Sequence, residues 1–347
     1  MSTLYLVPAI ALVLFVALPL VRSPHWTVRV FDYPRVQKLV LVCLMLGLWF
    51  TATDGTRVID QVVLALLMVS ALYLVKVIVP YTPLGRKMLE QVVPKVGEAP
   101  LTLLVCNVLQ TNRDHGRLGQ LIAQRSPDVV VLLEADEHWQ QGIRSAVSEY
   151  PYRVEVPQAN TYGMLLYSRL PIVHQAVNRL VDPEVPSIIA DVDYRGARVR
   201  LYILHPTPPV PQENETSTER DAEVLLVGRM AQAYGKPCIV LGDLNDVAWS
   251  RTTELFLKSS KMLDPRRGRG MYNTFHAHVP FLRWPLDHFF VSSQFRLVDV
   301  QVERSVGSDH FPMSLAVVLR ADDPREELPI AVEEHQEVSE RIAAAGA

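Results

Sequence analysis

Cysteine is scarce in this 347-residue chain. Cys43, Cys106 and Cys238 are the only three, and each sits inside an apolar run. None forms a C-x-x-C pair or has histidine nearby at ligand spacing, so no zinc or dithiol motif is present. They read as small buried hydrophobes. A basic excess is also missing: residues 101–320 hold 23 basic and 24 acidic side chains. A domain that grips a nucleic-acid backbone usually shows a net positive footprint. The balance disfavours a nuclease without excluding one whose groove is locally basic. No internal repeat is visible. The first apolar stretch lacks a basic leading segment and a small-x-small site before Arg22, which argues against a cleaved signal peptide.

What the chain does have is a hydrophobic excess at its front. Hydrophobic residues make up 49% of the whole, and three long uncharged stretches precede residue 81. They run from Leu4 to Val21, from Leu39 to Phe50 with an extension to Thr53, and from Val62 to Val75 with a continuation to Val79. A bilayer core needs roughly 20 apolar residues of helix, so residues 1–80 are expected to anchor the chain in a lipid bilayer through about three spans. A membrane-embedded hairpin plus one span is the fallback. The first loop carries Arg22, Arg29, Arg35 and Lys38, while the second carries only Arg57. The positive-inside rule then predicts a multi-pass cell (inner) membrane protein with its large domain in the cytoplasm. Pro80, Pro83, Pro94 and Pro100 mark a linker over 81–100. At the far end, residues 321–347 form an acidic tail in which Asp322, Asp323, Glu326, Glu327, Glu333, Glu334, Glu337 and Glu340 oppose only Arg325 and Arg341.

Between linker and tail, residues 101–320 alternate short apolar runs with polar turns. Leu101–Cys106, Val129–Leu133, Tyr162–Tyr167, Ile188–Val192, Val199–Leu204, Cys238–Leu241, Phe289–Val291 and Leu315–Leu319 read as strands. Arg117–Arg125 and Glu219–Tyr234 read as helices. The mixture lacks strict strand–helix alternation, which predicts an α/β (α+β) domain of two packed sheets covered by helices.

Polar residues gather at the ends of these runs. Asn107 closes LLVCN, Glu134 closes VVVLLE and His205 closes RLYILH. Asp243 and Asn245 follow IVLG, Asp287 opens DHFFV, and Asp309-His310 precede the last strand. Singly, each is a common turn former or cap. Together, and in this order, the words CNV, VLLEAD, YGMLLYSR, GDLN, PLDHFFVS and SDHFP resemble the endonuclease/exonuclease/phosphatase superfamily. That group includes abasic-site endonucleases, pancreatic-type deoxyribonucleases, neutral sphingomyelinases and inositol polyphosphate 5-phosphatases. The resemblance spans Leu101 to about Leu319 and implies a four-layer αββα sandwich.

It also implies a division of labour. Glu134 resembles the main metal carboxylate, with Asn107 and Asp309 in or near the shell of a Mg²⁺ (or Mn²⁺) ion, the hard cations that oxygen ligands favour. Asp243 resembles the residue that orients or deprotonates the attacking water, and Asn245 the phosphate-holding residue beside it. His310 resembles the histidine next to the scissile phosphate, Asp287 an orienting carboxylate, and His205 a phosphate or leaving-group partner. The choice of general base between Asp243 and His310 stays open at this point. Outside those words, Arg266, Arg267 and Arg269 form a compact cationic loop, read either as a solvated turn or as a clamp for an anionic head group. Trp284 lies on the same approach. The expected activity is membrane-anchored, metal-dependent hydrolysis of a phosphoester or pyrophosphate, lipid-linked or small. A membrane-tethered endo- or exonuclease is the alternative, which keeps nucleic acid as a second partner. A catalytically dead scaffold or binding module is the reading from another class, disfavoured because every expected metal and phosphate residue is present.

Overall fold

The computed structural model describes residues 2–52, 57–211, 213–320 and 328–346. Thr53, at the end of the second apolar stretch, and tail residues 321–327 lie outside them. The chain divides into two compact units. The first comprises Met1–Arg86, Pro209–Ser217 and Gly268–Gly270; the second comprises Lys87–Pro208, Thr218–Arg267 and Met271–Ala347.

Four helices build the first unit: α1 (Ser2–Ala17), α2 (Trp26–Arg29), α3 (Arg35–Ala52) and α4 (Val58–Ile78). Helix α4 buries Val63, Leu67, Ser70, Leu74 and Ile78, a stripe at helical spacing, and packs against α1 and α3. Its other face exposes Val62, Leu66, Val69 and Leu72. With the 3-10 turn that follows it, Val58–Tyr81 is 24 residues long, enough in length and apolarity to cross a membrane. Trp26–Asp32 and Arg35–Thr51 meet the same test only when joined, across a bend of 71°, and Tyr5–Leu20 is a shorter apolar helix.

The second unit holds strands β1 (Leu101–Asn107), β2 (Val129–Leu133), β3 (Tyr152–Val156), β4 (Met164–Ser168), β5 (Ile172–Asn178), β6 (Ser187–Tyr194), β7 (Ala197–Leu204), β8 (Cys238–Asp243), β9 (Asp287–Val291), β10 (Phe295–Val302) and β11 (Met313–Leu319). They form one sheet in the order β10-β11-β1-β2-β4-β3 and another in the order β5-β6-β7-β8-β9. Helices α5 (His115–Arg125), α6 (Glu137–Gly142), α7 (Thr218–Tyr234), α8 (Arg251–Ser260) and α9 (Val332–Ala344) complete it.

The pleat explains the layering, because successive side chains point to opposite faces. In β1, Leu103 and Val105 join Ile203, Leu241 and Phe289 in the core between the sheets. Leu104 and Cys106 turn the other way, toward Leu118, Leu121 and Ile122 of α5 and Trp139 of α6. In β7, Tyr202 and Leu204 likewise face Leu225 of α7, Phe256 of α8 and Val338 of α9. Helices therefore cover the outer faces of two stacked sheets, the expected sandwich.

Two segments read as linker and tail contribute to this unit. Leu89 is buried in the inter-sheet core, and the backbone around it pairs with β10: Leu297 N donates to Glu90 O and Val92 N to Leu297 O, each at 2.8 Å. The described part of the tail contains α9, whose Val338 and Ile342 are buried. Its acids meet bases of α8: Glu334 lies 3.0 Å from Arg251 and 2.7 Å from Lys258, and Glu337 lies 2.7 Å from Arg251. Glu334 and Glu337, read in sequence as part of an acidic tail, thus complement a basic helix face.

Candidate active site

Four strand ends deliver the site. Parallel pairing of β1 with β2 sets Asn107 beside Leu133, so Glu134 emerges one residue beyond. Antiparallel pairing of β8 with β9 sets Asp243 directly opposite Asp287. Gly242 makes the β8 end feasible. Its φ is +142°, and a Cβ there would lie 1.9 Å from the Leu204 carbonyl oxygen on β7. Only glycine tolerates both. Glu134 and Asn245, just past their strands, hold left-handed backbones (φ 58° and 50°), a conformation that concentrates at functional sites.

Two hydrogen bonds join the sheets through this cluster. Asn107 Nδ2 donates to Asp243 Oδ2 at 3.0 Å and also to Glu134 Oε1 at 2.7 Å. His310, ahead of β11, contacts Asp287 Oδ2 through Nδ1 at 2.7 Å, and its Nε2 lies 3.5 Å from Asp243 Oδ2. His205 Nε2 approaches the same Asp243 oxygen at 3.9 Å, and its ring lies 5.6 Å from that of Tyr162. Asn245 N donates to Asp243 Oδ1 at 2.9 Å, while its Nδ2 donates to Pro206 O.

Burial sets the charges. Desolvation raises the Asp243 carboxyl above its usual range, with Asp287 adding to the shift and His310 and His205 opposing it. Glu134 is raised as well, again chiefly by desolvation. For His310 burial alone would favour the neutral ring, but Asp287 and Asp243 outweigh it and push the imidazole up to about 10. At neutral pH this histidine is a cation held between two carboxylates.

Among the described residues, Asp243, Asp287 and His310 offer ligand atoms within 4.8 Å of one another, an acidic and histidine cluster close enough to hold a metal ion. Within it His310 Nδ1 is hydrogen-bonded to Asp287, while Asp243 stands in ion contact with Nε2 at 3.5 Å. Asn107 spends its side-chain oxygen on the Leu109 amide (3.0 Å) and turns its NH₂ toward the carboxylates. Asp309 lies beside His310 and is felt electrostatically by Glu134.

The arginine loop differs from the expected clamp. Arg266 is fully buried, donating through Nε and Nη2 to Asp264 (2.9 and 2.8 Å) and through Nη2 to His288 Nδ1 (2.7 Å). It also reaches the Asp287 carbonyl at 3.3 Å. An arginine with no exposed surface cannot grip a substrate, which corrects the head-group reading for this residue. Arg267 is half-buried, and Arg269 belongs to the first unit, in a segment where Gly268 N donates to Pro80 O. Trp284 stands in an aromatic file: its ring stacks on Phe275 at 6.3 Å, and Phe275 lies 4.9 Å from the His310 ring.

Asp264 and His288 join the site's support without standing out in the sequence. Since Arg266 donates to His288 Nδ1, Nε2 carries the proton and donates to Asp246 O at 2.8 Å. The pair ties the loop after β8 to the start of β9. Its signal was the alternation of Asp287 and His288, which puts one side chain toward the site and the next behind it.

A sequence profile described as the Endonuclease/Exonuclease/phosphatase family matches residues 104–310. The chain belongs to that family. Solved structures agree in fold. An endonuclease/exonuclease/phosphatase from Beutenbergia cavernae superimposes with a TM-score of 0.52 at 17% identity, covering 64% of this chain and 72% of its own. A Bacteroides thetaiotaomicron mannosyl-6-phosphatase gives 0.51 at 20% identity, covering 63% and 100%. D. rerio TDP2, complexed with a single-strand DNA product, gives 0.52 at 18%, covering 63% and 98%. No curated protein sequence matches this chain. Members of the endonuclease/exonuclease/phosphatase family hydrolyse phosphoester bonds, and this chain presents that family's sandwich with an acidic and histidine cluster at its strand ends.

Proposed function

We propose that the protein is a membrane-anchored, divalent-metal-dependent phosphoester hydrolase whose substrate is a lipid-linked or small phosphoester or pyrophosphate. The observation that carries the chemistry is the imidazolium of His310 fixed between Asp287 and Asp243, with Glu134 beside them. Phosphoryl transfer needs positive charge at the phosphoryl oxygens and a positioned water.

Glu134 and Asp309, with Asn107 positioning Glu134, are the residues that would hold Mg²⁺ or Mn²⁺. The donor set fits: all are hard oxygens, and the desolvated Glu134 carboxylate is short of compensating charge. When bound, the ion would supply Lewis-acid neutralisation of the phosphate. The chain's own groups do the rest. His310 donates a charged N–H toward the phosphate. Because it already holds its proton at neutral pH, it is disfavoured as the base. Asp243 is the candidate that orients the water and takes its proton, in line with its raised affinity for one. Asn245 and His205 complete the phosphate cradle, and Asp287 holds the imidazole in place.

The anchor reading rests on α4, apolar on its packed and its outward faces alike, a pattern of membrane helices. We propose residues 1–80 as anchor, with about three spans and the catalytic domain (101–320) in the cytoplasm, a topology that a C-terminal reporter fusion tests. The near-neutral domain favours a lipid or small phosphoester over duplex DNA, whose affinity depends on counterion release. Proteins of the same fold include one solved with a single-strand DNA product and one named a mannosyl-6-phosphatase, so the deciding experiment is comparative. The full chain in detergent is assayed with Mg²⁺ or Mn²⁺ against phospholipids, prenyl pyrophosphates, inositol phosphates and plasmid DNA, with and without chelator and with Glu134→Ala. Metal-dependent turnover of a lipid or small phosphoester, lost in Glu134→Ala, is expected. Full activity in chelator would overturn the metal role, and plasmid cleavage alone would restore the nuclease reading.

A further inference from the structure

A second charged cluster lies in the first unit, apart from the catalytic groups. Arg29, Asp32, Arg35 and Lys38 recur every third residue, so they continue one face across the bend between α2 and α3. All four are buried, with 3–6% of their surface exposed. Arg29 Nη1 donates to one Asp32 oxygen at 3.3 Å and Arg35 Nη2 to the other at 2.6 Å. Arg35 Nη1 also donates to the Tyr73 hydroxyl of α4 at 2.6 Å. Lys38 Nζ donates to the carbonyls of Phe15 (2.6 Å) and Phe31 (2.7 Å).

Among the described residues three cations face one carboxylate. Asp60, the other buried acid described in this unit, is paired with Arg57. It precedes Tyr73 by 13 positions on α4, about 20 Å at 1.5 Å per residue. Glu213 and Glu215 of the same unit are exposed. The cluster therefore keeps an excess of positive charge in a desolvated place, which is unfavourable unless an anion compensates. A second observation points the same way. The Nε–H groups of Arg29 and of Arg35 are both buried with no hydrogen-bond partner, and a bound ion is one of the few things that satisfies such a donor. The Tyr73 hydroxyl accepts from Arg35, which leaves its own proton to donate. Guanidinium and hydroxyl donors converging in this way match an oxyanion with several acceptors, and the arginine fork suits phosphate above a spherical anion.

We infer that Arg29, Arg35, Lys38 and Tyr73 form a phosphate-binding site in the N-terminal unit. Its ligand is a phosphate group, carried either on a lipid head group or free in solution; the lipid source rests on the anchor reading above, and the site itself does not.

The test uses the full chain carrying His310→Ala, so that the catalytic centre loses its own phosphate donor. In detergent, inorganic phosphate is titrated by calorimetry against chloride at matched ionic strength. In parallel, the chain is placed in nanodiscs of phosphatidylglycerol or of a phosphate-free galactolipid, and retained lipid is read by native mass spectrometry. Phosphate binding, or selective retention of phosphatidylglycerol, supports the site and identifies the source. Arg29→Gln and Arg35→Gln should each weaken it by about tenfold, the scale of one charge-assisted hydrogen bond. If neither variant folds, the unsubstituted cluster still decides. Chloride and galactolipid performing as well as their phosphate counterparts overturns the assignment, and so does binding that both arginine variants leave intact.

Discussion

Replacing Arg266 with alanine separates two readings that the amino-acid sequence leaves open, because a buried strut and a substrate clamp fail in different ways. The guanidinium makes hydrogen bonds to both Asp264 oxygens, to His288 Nδ1 and to the Asp287 carbonyl, and neither it nor Asp264 has any exposed side-chain surface. Removing it leaves Asp264 an unpaired buried charge. Breaking such a pair on one side costs about 3–5 kcal/mol. For a domain of this size each kcal/mol lowers the melting temperature by roughly 2–4 °C, so the full chain should melt about 6–20 °C lower. The loss should shrink when Asp264→Asn is added, because the orphaned charge goes with it. In the kinetics, Asp287 loses a support behind its backbone, so kcat should fall while KM stays nearly constant. Differential scanning fluorimetry and Michaelis–Menten analysis of the same preparation read both effects. An unchanged melting temperature with a raised KM would mean that Arg266 touches substrate and that the buried geometry described above is wrong.

Three further outcomes follow from the structure. Asp287→Asn removes a carboxylate that holds the His310 proton, so the alkaline limb of kcat should move down from about 10 toward ordinary histidine values; a limb that stays in place refutes the imidazolium assignment. Glu334 is held near 2: its partial burial acts upward, and Lys258, the Ala331 amide and Arg251 more than reverse it. Its contribution to docking α9 is therefore present above the usual glutamate range and lost as pH falls from there toward 2. Hydrogen exchange of α9 should accelerate over that interval before α7 and α8 open, and Lys258→Ala should start the loss at higher pH; simultaneous opening of all three helices would contradict it. Gly242→Ala should add at least the roughly 1–3 kcal/mol of a disallowed backbone to a clash with Leu204 O, and a soluble variant of unaltered activity would show that β7 and β8 are not so closely apposed.

How far the fold was legible depended on where each strand lies in its sheet. The strands read from hydrophobic runs, such as Val129–Leu133 and Cys238–Leu241, are central, covered on both faces, and buried throughout. The three that were missed, β3, β5 and β10, all lie at the ends of their sheets. Strand β3 alternates weakly and β5 is largely exposed, and neither leaves the run of apolar residues that marks a strand; β10 has its outer edge covered by the backbone of residues 90–92. The fourth end strand, β9, is buried throughout and its apolar run Phe289–Val291 reads as a strand. The candidate site was legible for the same reason as the central strands, since a strand closed on both faces can present polar chemistry only where it ends. Asn107, Glu134, Asp243 and Asp287 occupy such ends, and the structure gathers them around His310: Asn107 bonds Glu134 and Asp243, Asp287 bonds His310, and a 3.5 Å ion contact from Asp243 to His310 joins the two groups. The arginine loop was misread because its meaning is not local. Three arginines in four residues look solvated until Asp264, two positions before Arg266, and His288, in β9, turn one of them inward. Charge patterns report a surface only when the counter-charges are also in view, and two α9 acids make the point from the opposite sign: Glu334 and Glu337 dock the helix once Arg251 and Lys258 are found beneath them.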